Sequence, residues 1–330
     1  MHKTPAFWYA AAAPPPALKP LAWLYDGLSR LRRGLAAPYH SNIPVLCIGN
    51  ITLGGSGKTP VAIAVSRILH DLGFLPHFLT RGYGGRLKGP ILVNPAQHGF
   101  QDTGDEPLLL ARHAPCWVAR NRAAGAVAAA EGGAGAIVMD DGFQNPSLHK
   151  TLSFLVIDAM AGFGNGAVFP AGPLREQPQN ALKRADACII LGAEDDAARQ
   201  NWQQRLKEDG YHNPVFFAAL VPEKAAVKGA FVAFAGIGLP QKFRNTLEAC
   251  GADVKEFFPF PDHYAYKRED IKKLLAAARD RNAALITTEK DAVRLPEKIR
   301  TAVQTLAVTL QWQDERAITA FLKSKLQQKR

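Results

Sequence analysis

The stretch NITLGGSGKTP, residues 50–60, constrains the fold more than any other part of the chain. It lies between an apolar run, VLCIGNI, and an amphipathic one, PVAIAVSRILHDLG, so it reads as the turn from a buried strand into a helix. Glycine-rich turns of this kind let successive backbone N–H groups curl around phosphate oxygens at a helix N-terminus, where a Cβ would block the approach. Gly54, Gly55 and Gly57 supply that freedom. Lys58 is then placed to reach the β- and γ-phosphates, the Thr59 hydroxyl to ligate Mg²⁺, and Pro60 suits the first helical turn. The usual spacing is G-x-x-x-x-G-K-[ST]; here Thr52 occupies its first position, with Leu53 and Ser56 as the other variable residues. The expectation is a nucleoside triphosphate site.

Such a loop needs a sheet behind it, and the chain supplies one. PHFLTRGYGG, CWVAR followed by an alanine-rich helix, GAIVMDDG, SFLVIDA and ADACIILG alternate strand-like with helical stretches, the last before a polar helix around residues 194–209. That pattern predicts an α/β fold of the P-loop NTPase kind: a mostly parallel sheet with helices on both faces. Past Pro222 a short charged stretch leads into a second, smaller α/β unit: FVAFAGIG, VKEFFPFPDHY and AALITTEKDA, with helices between. VFFAAL and TLAVTLQW flank that unit and are expected to pair as a two-stranded connector. The expected organisation is a helical lead-in over 1–38, a P-loop domain over 39–222, a smaller domain over 223–305, and a return strand with a helix over 306–330.

In LAWLYDGLSRLRRGLAA, residues 21–37, Leu21, Leu24, Tyr25, Leu28, Leu31 and Leu35 form one stripe, with Asp26, Ser29, Arg30 and Arg33 elsewhere. Two readings stand side by side: a helix packed on the domain, or one lying in a bilayer interface with Trp23 and the leucines among acyl chains. Lys and Arg number 40 against 29 Asp and Glu, a formal +11 that favours an anionic partner. No secretory signal pattern and no run of about 18 apolar residues is expected to act here. The four cysteines are too scattered for a zinc site and read as buried thiols.

Further candidates carry the chemistry. Asp140 and Asp141 end the strand of GAIVMDDG, where a P-loop protein keeps its metal carboxylate. DTGDEP gathers Asp102, Asp105 and Glu106, readable as acids capping the helix LLLARH or as reactive groups. FPFPDHYAY sets Asp262 and His263 in a proline-bounded loop, the setting of a structural histidine or of an oriented acid–base group. LTRGYGG and PAGPLRE are turns or carriers of phosphate-facing cations, with Arg81, Arg120, Arg122 and Arg175 the candidates.

Taken in order, GNITLGGSGKTP, RGYGG, GDEP, DDGFQ, PAGPLRE, FPDHY and TEKDAV, preceded by a basic amphipathic helix, closely resemble the tetraacyldisaccharide 4'-kinase family over residues 18–312. TLGGSGKT is similar to that family's loop, so Thr52 belongs to its signature. The resemblance implies transfer of the ATP γ-phosphoryl group to the 4'-hydroxyl of a tetraacyl glucosamine disaccharide 1-phosphate in lipid A biosynthesis, at the cytoplasmic face of the bacterial inner membrane. It implies ATP and Mg²⁺ as cofactors. ATP phosphates are assigned to residues 52–59; the metal to Thr59, Asp140, Asp141 and Glu106; catalysis to Lys58 and to Asp105, the general base, paired with His263; and substrate contacts to Arg122, Arg175 and Tyr83. A lipid acceptor favours the interfacial reading of the N-terminal helix, on a peripheral protein drawn to an anionic membrane. The rival classes are a membrane-associated P-loop ATPase or GTPase switch, which has no use for Asp105 or His263, and a nucleic-acid-dependent NTPase. The arginines lack the interleaved aromatics that stack on bases, so no nucleic-acid partner is expected.

Overall fold

The computed structural model describes residues 5–9, 14–223 and 226–327. Residues 1–4 and 10–13 of the lead-in, 224–225 of the charged stretch and 328–330 at the end lie outside the described residues. The chain runs through α1 (Lys19–Gly34), β1 (Val45–Gly49), α2 (Lys58–Asp71), β2 (Pro76–Thr80), β3 (Ile91–Leu92), α3 (Phe100–Thr103), α4 (Asp105–Leu110) and β4 (Cys116–Val118). It continues with α5 (Arg122–Glu131), β5 (Ala136–Asp140), β6 (Leu152–Asp158), α6 (Pro178–Leu182), β7 (Ala187–Leu191), α7 (Asp196–Glu208) and β8 (Val215–Pro222). Next come β9 (Ala230–Ala235), α8 (Pro240–Ala249), β10 (Asp253–Pro259), α9 (Arg268–Asp280), β11 (Ala284–Thr288), α10 (Glu289–Ala292), α11 (Glu297–Arg300), β12 (Val303–Leu306), β13 (Val308–Trp312) and α12 (Glu315–Gln327).

Strands β13-β8-β7-β6-β1-β5-β2-β4-β3 form one nine-stranded sheet, parallel from β8 to β4, with β13 and β3 antiparallel at its edges. Its central strands are apolar on both sides because both faces are covered. Along β1, Val45 and Cys47 enter one core with Ala126 and Ala129 of α5 and Leu206 of α7, while Leu46 and Ile48 enter the other with Val65 and Leu69 of α2 and Leu322 of α12. A second, all-parallel sheet, β10-β9-β11-β12, is covered by α9 on one face and α8 on the other. The expected strand pair does form, Leu220 opposite Leu310, but it is no free-standing connector. β8 also pairs in parallel with β7, so the pair is the edge of the large sheet, and TLAVTLQW is divided between β12 and β13.

The N-terminal helix begins at Lys19, with Pro20 in its first turn, and ends at Gly34, short of the expected residue 37. It seats its polar side inward: Asp26 is 5% exposed and Arg33 reaches a buried glutamate, whereas Trp23 is 72% and Leu35 78% exposed. The leucine stripe therefore faces away from the protein. Among the described residues no helix is long and apolar enough to cross a membrane.

Candidate active site

β1 lies where the chain's crossovers diverge, β2 to one side and β6 to the other, and ligands of open parallel sheets bind outside the strand ends at such a point. The glycine-rich loop leaves β1 there. PAGPLRE runs alongside it: Leu53 N donates to Pro173 O at 2.7 Å, Arg175 N donates to Ile51 O at 2.6 Å, and Thr52 bridges to Leu174. The Asn50 side-chain amide donates to the Thr52 carbonyl at 2.9 Å and hydroxyl at 3.0 Å. A hydroxyl at the loop's first position thus helps fasten the loop to β1, a task glycine could not perform. Gly57 enters α2 with φ 75°, and a Cβ there would stand 2.5 Å from Leu191 Cδ1. Ser56 is buried, its hydroxyl unpartnered. Lys58 Nζ lies 3.0 Å from Asn50 Oδ1 and 3.6 Å from Asp141 Oδ1.

The adjacent aspartates turn to different partners. Asp140 Oδ2 accepts from the Thr59 hydroxyl at 2.9 Å, while its buried Oδ1 has no partner. Burial, reinforced by the nearby Glu106, pushes the Asp140 carboxyl up to about 7 against the pull of Lys58. Asp141 has a left-handed backbone, φ 53°, and takes Arg175 Nη1 at 2.8 Å and Nη2 at 3.3 Å. Burial opposes its charge, but Lys58 and Arg175 hold it well below the usual carboxylate range. A hydroxyl beside a buried, unsatisfied carboxylate oxygen is a donor set that suits Mg²⁺, which takes few protein ligands and completes its shell with phosphate oxygens and water. Among the described residues no three His, Cys, Asp or Glu side chains converge to cage a metal by themselves.

DTGDEP resolves into α3, Gly104 and α4. Gly104 is the N-cap, so Asp105 is the first helical residue rather than a cap, and LLLARH begins its helix earlier and ends it sooner than its sequence suggests. Asp102 caps α3 through Gly99 N at 2.9 Å and lies apart from the site chemistry. Asp105 Oδ2 is 3.0 Å from His263 Nδ1 and 2.8 Å from Arg294 Nε, with Arg294 Nη2 closer still. Burial works against its charge, yet His263, Lys290 and Arg294 together keep it well below the usual range. His263 also sits at positive φ, 56°, its N–H pinned to Gly236 O at 3.2 Å and to Asp262 Oδ1 at 3.0 Å. Its Nε2 is 3.5 Å from Lys290 Nζ, which itself holds Glu106 at 3.2 Å. Tyr83, 60% exposed, places its ring 5.4 Å from that of His263.

The two groups adjoin: a Cβ on Gly238, in the loop after β9, would lie 3.3 Å from Gly55 N and 3.7 Å from Asp262 Oδ2. Arg122, the first residue of α5 behind its Asn121 cap, is 3% exposed and gives Nη1 to Ala119 O at 2.5 Å, leaving Nε unpartnered. Burial and Arg81 bring Arg122 down to about 10, against the pull of Asp141. Arg120 is exposed and reaches Gly85 O at 3.4 Å. Sequence reasoning passed over Arg294, Lys290, Asn50 and Gln144. The one signal for Arg294 is its spacing of three from Asp291 just beyond TEKDAV, and the two pair at 3.0 Å.

Residues 15–327 match the family model described as tetraacyldisaccharide-1-P 4'-kinase. A tetraacyldisaccharide 4'-kinase of Parvibaculum lavamentivorans is 50% identical over 298 residues, 89% of this chain and 86% of the relative. One from Rhodospirillum centenum is 46% identical, covering 97% of this chain and 96% of the relative. The crystal structure of the "apo" form of LpxK from Aquifex aeolicus in complex with ATP superposes with a TM-score of 0.72 at 25% identity, covering 94% of this chain and 98% of that one. A phosphate loop facing a carboxylate–imidazole pair, on a chain matched almost end to end by these kinases, places it in the tetraacyldisaccharide-1-P 4'-kinase family.

Proposed function

We propose that this kinase transfers the γ-phosphoryl group of ATP to the 4'-hydroxyl of a tetraacyl glucosamine disaccharide 1-phosphate, with the adjoining clusters dividing the work. The observation that carries this reading is the Asp105–His263 pair, 3.0 Å apart beside the phosphate loop. A nucleotide switch that only hydrolyses ATP or GTP uses water as its acceptor and has no sugar hydroxyl for which to hold an oriented acid–base pair.

Backbone amides of residues 54–57 and Lys58 hold the β- and γ-phosphates, while Thr52 and Leu53 fasten the loop to its neighbours. Thr59 and Asp140, with Glu106 close by, would hold Mg²⁺, which would supply positive charge against those phosphates. Asp141, engaged by Arg175, orients Lys58 rather than taking the metal directly. Asp105 and His263 act as one acid–base unit. With Nδ1–H directed at Asp105, the His263 Nε2 lone pair faces Lys290 Nζ at 3.5 Å, a long contact that the acceptor hydroxyl would replace to give up its proton, while Arg294 keeps Asp105 charged and fixed. Arg122 and Arg175 balance the negative charge of substrate and phosphates, and Tyr83 lines the sugar's approach. Because phosphoryl transfer is accelerated mainly by positioning and charge, this set is sufficient.

The outward leucine stripe of α1, flanked by Arg30 and Arg32, supports a seat in the anionic cytoplasmic face of the inner membrane, where the acceptor's acyl chains lie. The deciding assay supplies ATP, Mg²⁺ and detergent-dispersed disaccharide 1-phosphate lipid, and looks for a bisphosphorylated product. Absence of product sinks the reading. His263→Ala and Asp105→Ala should suppress product while ATP binding persists; lost ATP binding in Asp105→Ala would move that residue to the metal.

A further inference from the structure

Glu176 is fully buried, lies outside both the phosphate loop and the acid–base pair, and its two oxygens join distant places. Oε2 takes Arg33 Nη2 of α1 at 3.4 Å and Arg184 Nη2 at 2.5 Å. Oε1 accepts from Gln144 Nε2 at 3.1 Å, and the same amide donates to the Asn50 carbonyl at 2.8 Å. Asn50 Oδ1 in turn accepts from Lys58 at 3.0 Å. An unbroken run of polar contacts therefore leads from the helix with the outward leucine stripe to the lysine of the phosphate loop.

A buried carboxylate is costly unless paired, and Arg184 alone already neutralises this one. The second arginine comes from α1, which otherwise buries only Ala22 and Asp26 against the body. Arg184 also donates to the Phe143 carbonyl at 3.3 Å, whereas the ion pair of Arg33 is with Glu176. We propose that Arg33 and Glu176 are positioning residues that make the seating of α1 on an anionic bilayer and the setting of Lys58 for ATP one linked equilibrium. The proposal rests on the bilayer seat proposed above and says what that seat does to catalysis. Linkage is reciprocal: the factor by which a bilayer tightens MgATP binding is the factor by which MgATP tightens bilayer binding.

The test uses the full chain without acceptor lipid. MgATP affinity is measured by calorimetry in buffer and on vesicles of phosphatidylethanolamine with phosphatidylglycerol, and vesicle co-sedimentation is measured with and without MgATP. For the native chain both affinities should rise together, by about five-fold or more. Arg33→Met should still bind vesicles through its leucines, bind MgATP several-fold more weakly in buffer, and lose the mutual enhancement; Arg33→Lys should recover part of it. Glu176→Gln should act in the same direction, and should it fail to fold, the two Arg33 variants still decide the matter. The proposal is overturned if Arg33→Met matches the native chain in MgATP affinity, or if the native chain binds vesicles with no change in that affinity. A native chain that ignores vesicles refutes the bilayer seat and the linkage together, whereas missing kinase product with intact linkage refutes only the proposed reaction.

Discussion

Replacing Arg294 with methionine keeps an unbranched apolar stem and removes the guanidinium and its charge from a place water does not reach. Arg294 gives two hydrogen bonds to Asp105 Oδ2, one to Asp291 Oδ1 and one to Gly236 O. After the change Asp291 keeps Gly236 N, the Tyr266 hydroxyl and the Thr288 hydroxyl. Asp105 keeps only His263 and Glu106 N, so the loss falls on the residue that orients the base. Breaking a buried ion pair from one side costs about 3–5 kcal/mol. At about 1.4 °C per kcal/mol for a chain of 330 residues, Tm should fall by about 4–7 °C. The pH dependence has a definite sign. A carboxyl held below its usual range contributes stability that is present above the ordinary carboxylate pKa and lost as pH falls through the lowered value. Removing Arg294 lets Asp105 rise, so acid unfolding should begin at a higher pH. Turnover should drop on the order of a hundred-fold as the imidazole loses its fixed partner, with MgATP affinity changed by less than about two-fold, since Arg294 touches no loop residue. Thermal melts from pH 3 to 8, calorimetry and product assays read these quantities separately. A Tm change below about 2 °C, or lost ATP binding with unchanged turnover per bound ATP, would refute the clamp.

Asp140→Asn should abolish Mg²⁺-dependent transfer yet raise thermal stability at neutral pH. Its raised carboxyl contributes stability present below the ordinary carboxylate value and lost as pH rises through about 7, so the gain over native should grow between pH 5 and 8 in parallel melts. Gly57→Ala forces a left-handed alanine against Leu191 and should cost about 1–2 kcal/mol in denaturant titrations, with ATP binding weakened as well. Leu28→Glu with Leu31→Glu, both on the exposed stripe, should remove vesicle co-sedimentation while leaving Tm within about 2 °C of native. A large Tm loss would mean that the stripe is covered by protein.

What could be read from the sequence was local. The loop announced itself because strand, glycines, lysine and helix are consecutive, and the parallel sheet followed from repeated apolar runs with helices between. The Arg294–Asp105 pair could not be read, because 189 positions separate its members and nothing in either segment marks the other. The division of labour between Asp140 and Asp141 depends on a left-handed residue at a strand end, which sends neighbouring carboxylates to a hydroxyl and to an arginine. The start of α4 was hidden by Pro107, which reads as a turn but is tolerated in a first helical turn behind Gly104. For α1, periodicity gave the stripe but not its direction. That direction is set by Ala22 in the core, by Tyr25 edge-on to Phe169 and by the reach of Arg33 to a buried glutamate whose role in the core has no sequence signature.

The antiparallel pairing of β13 with β8 also bears on how the molecule is made. Everything between those strands, the whole second sheet with His263 and Arg294, is an insertion into the first, and the helix that follows β13 packs on the same core as the helix leaving the phosphate loop. During synthesis the large sheet therefore waits with an open edge at Val215–Pro222, and with the outer side of Lys58–Asp71 partly bare, until the inserted unit has been completed. ATP binding acquired during translation would report the return of that late strand and helix, and a chain stopped after β12 should carry its glycine-rich loop on an unfinished domain.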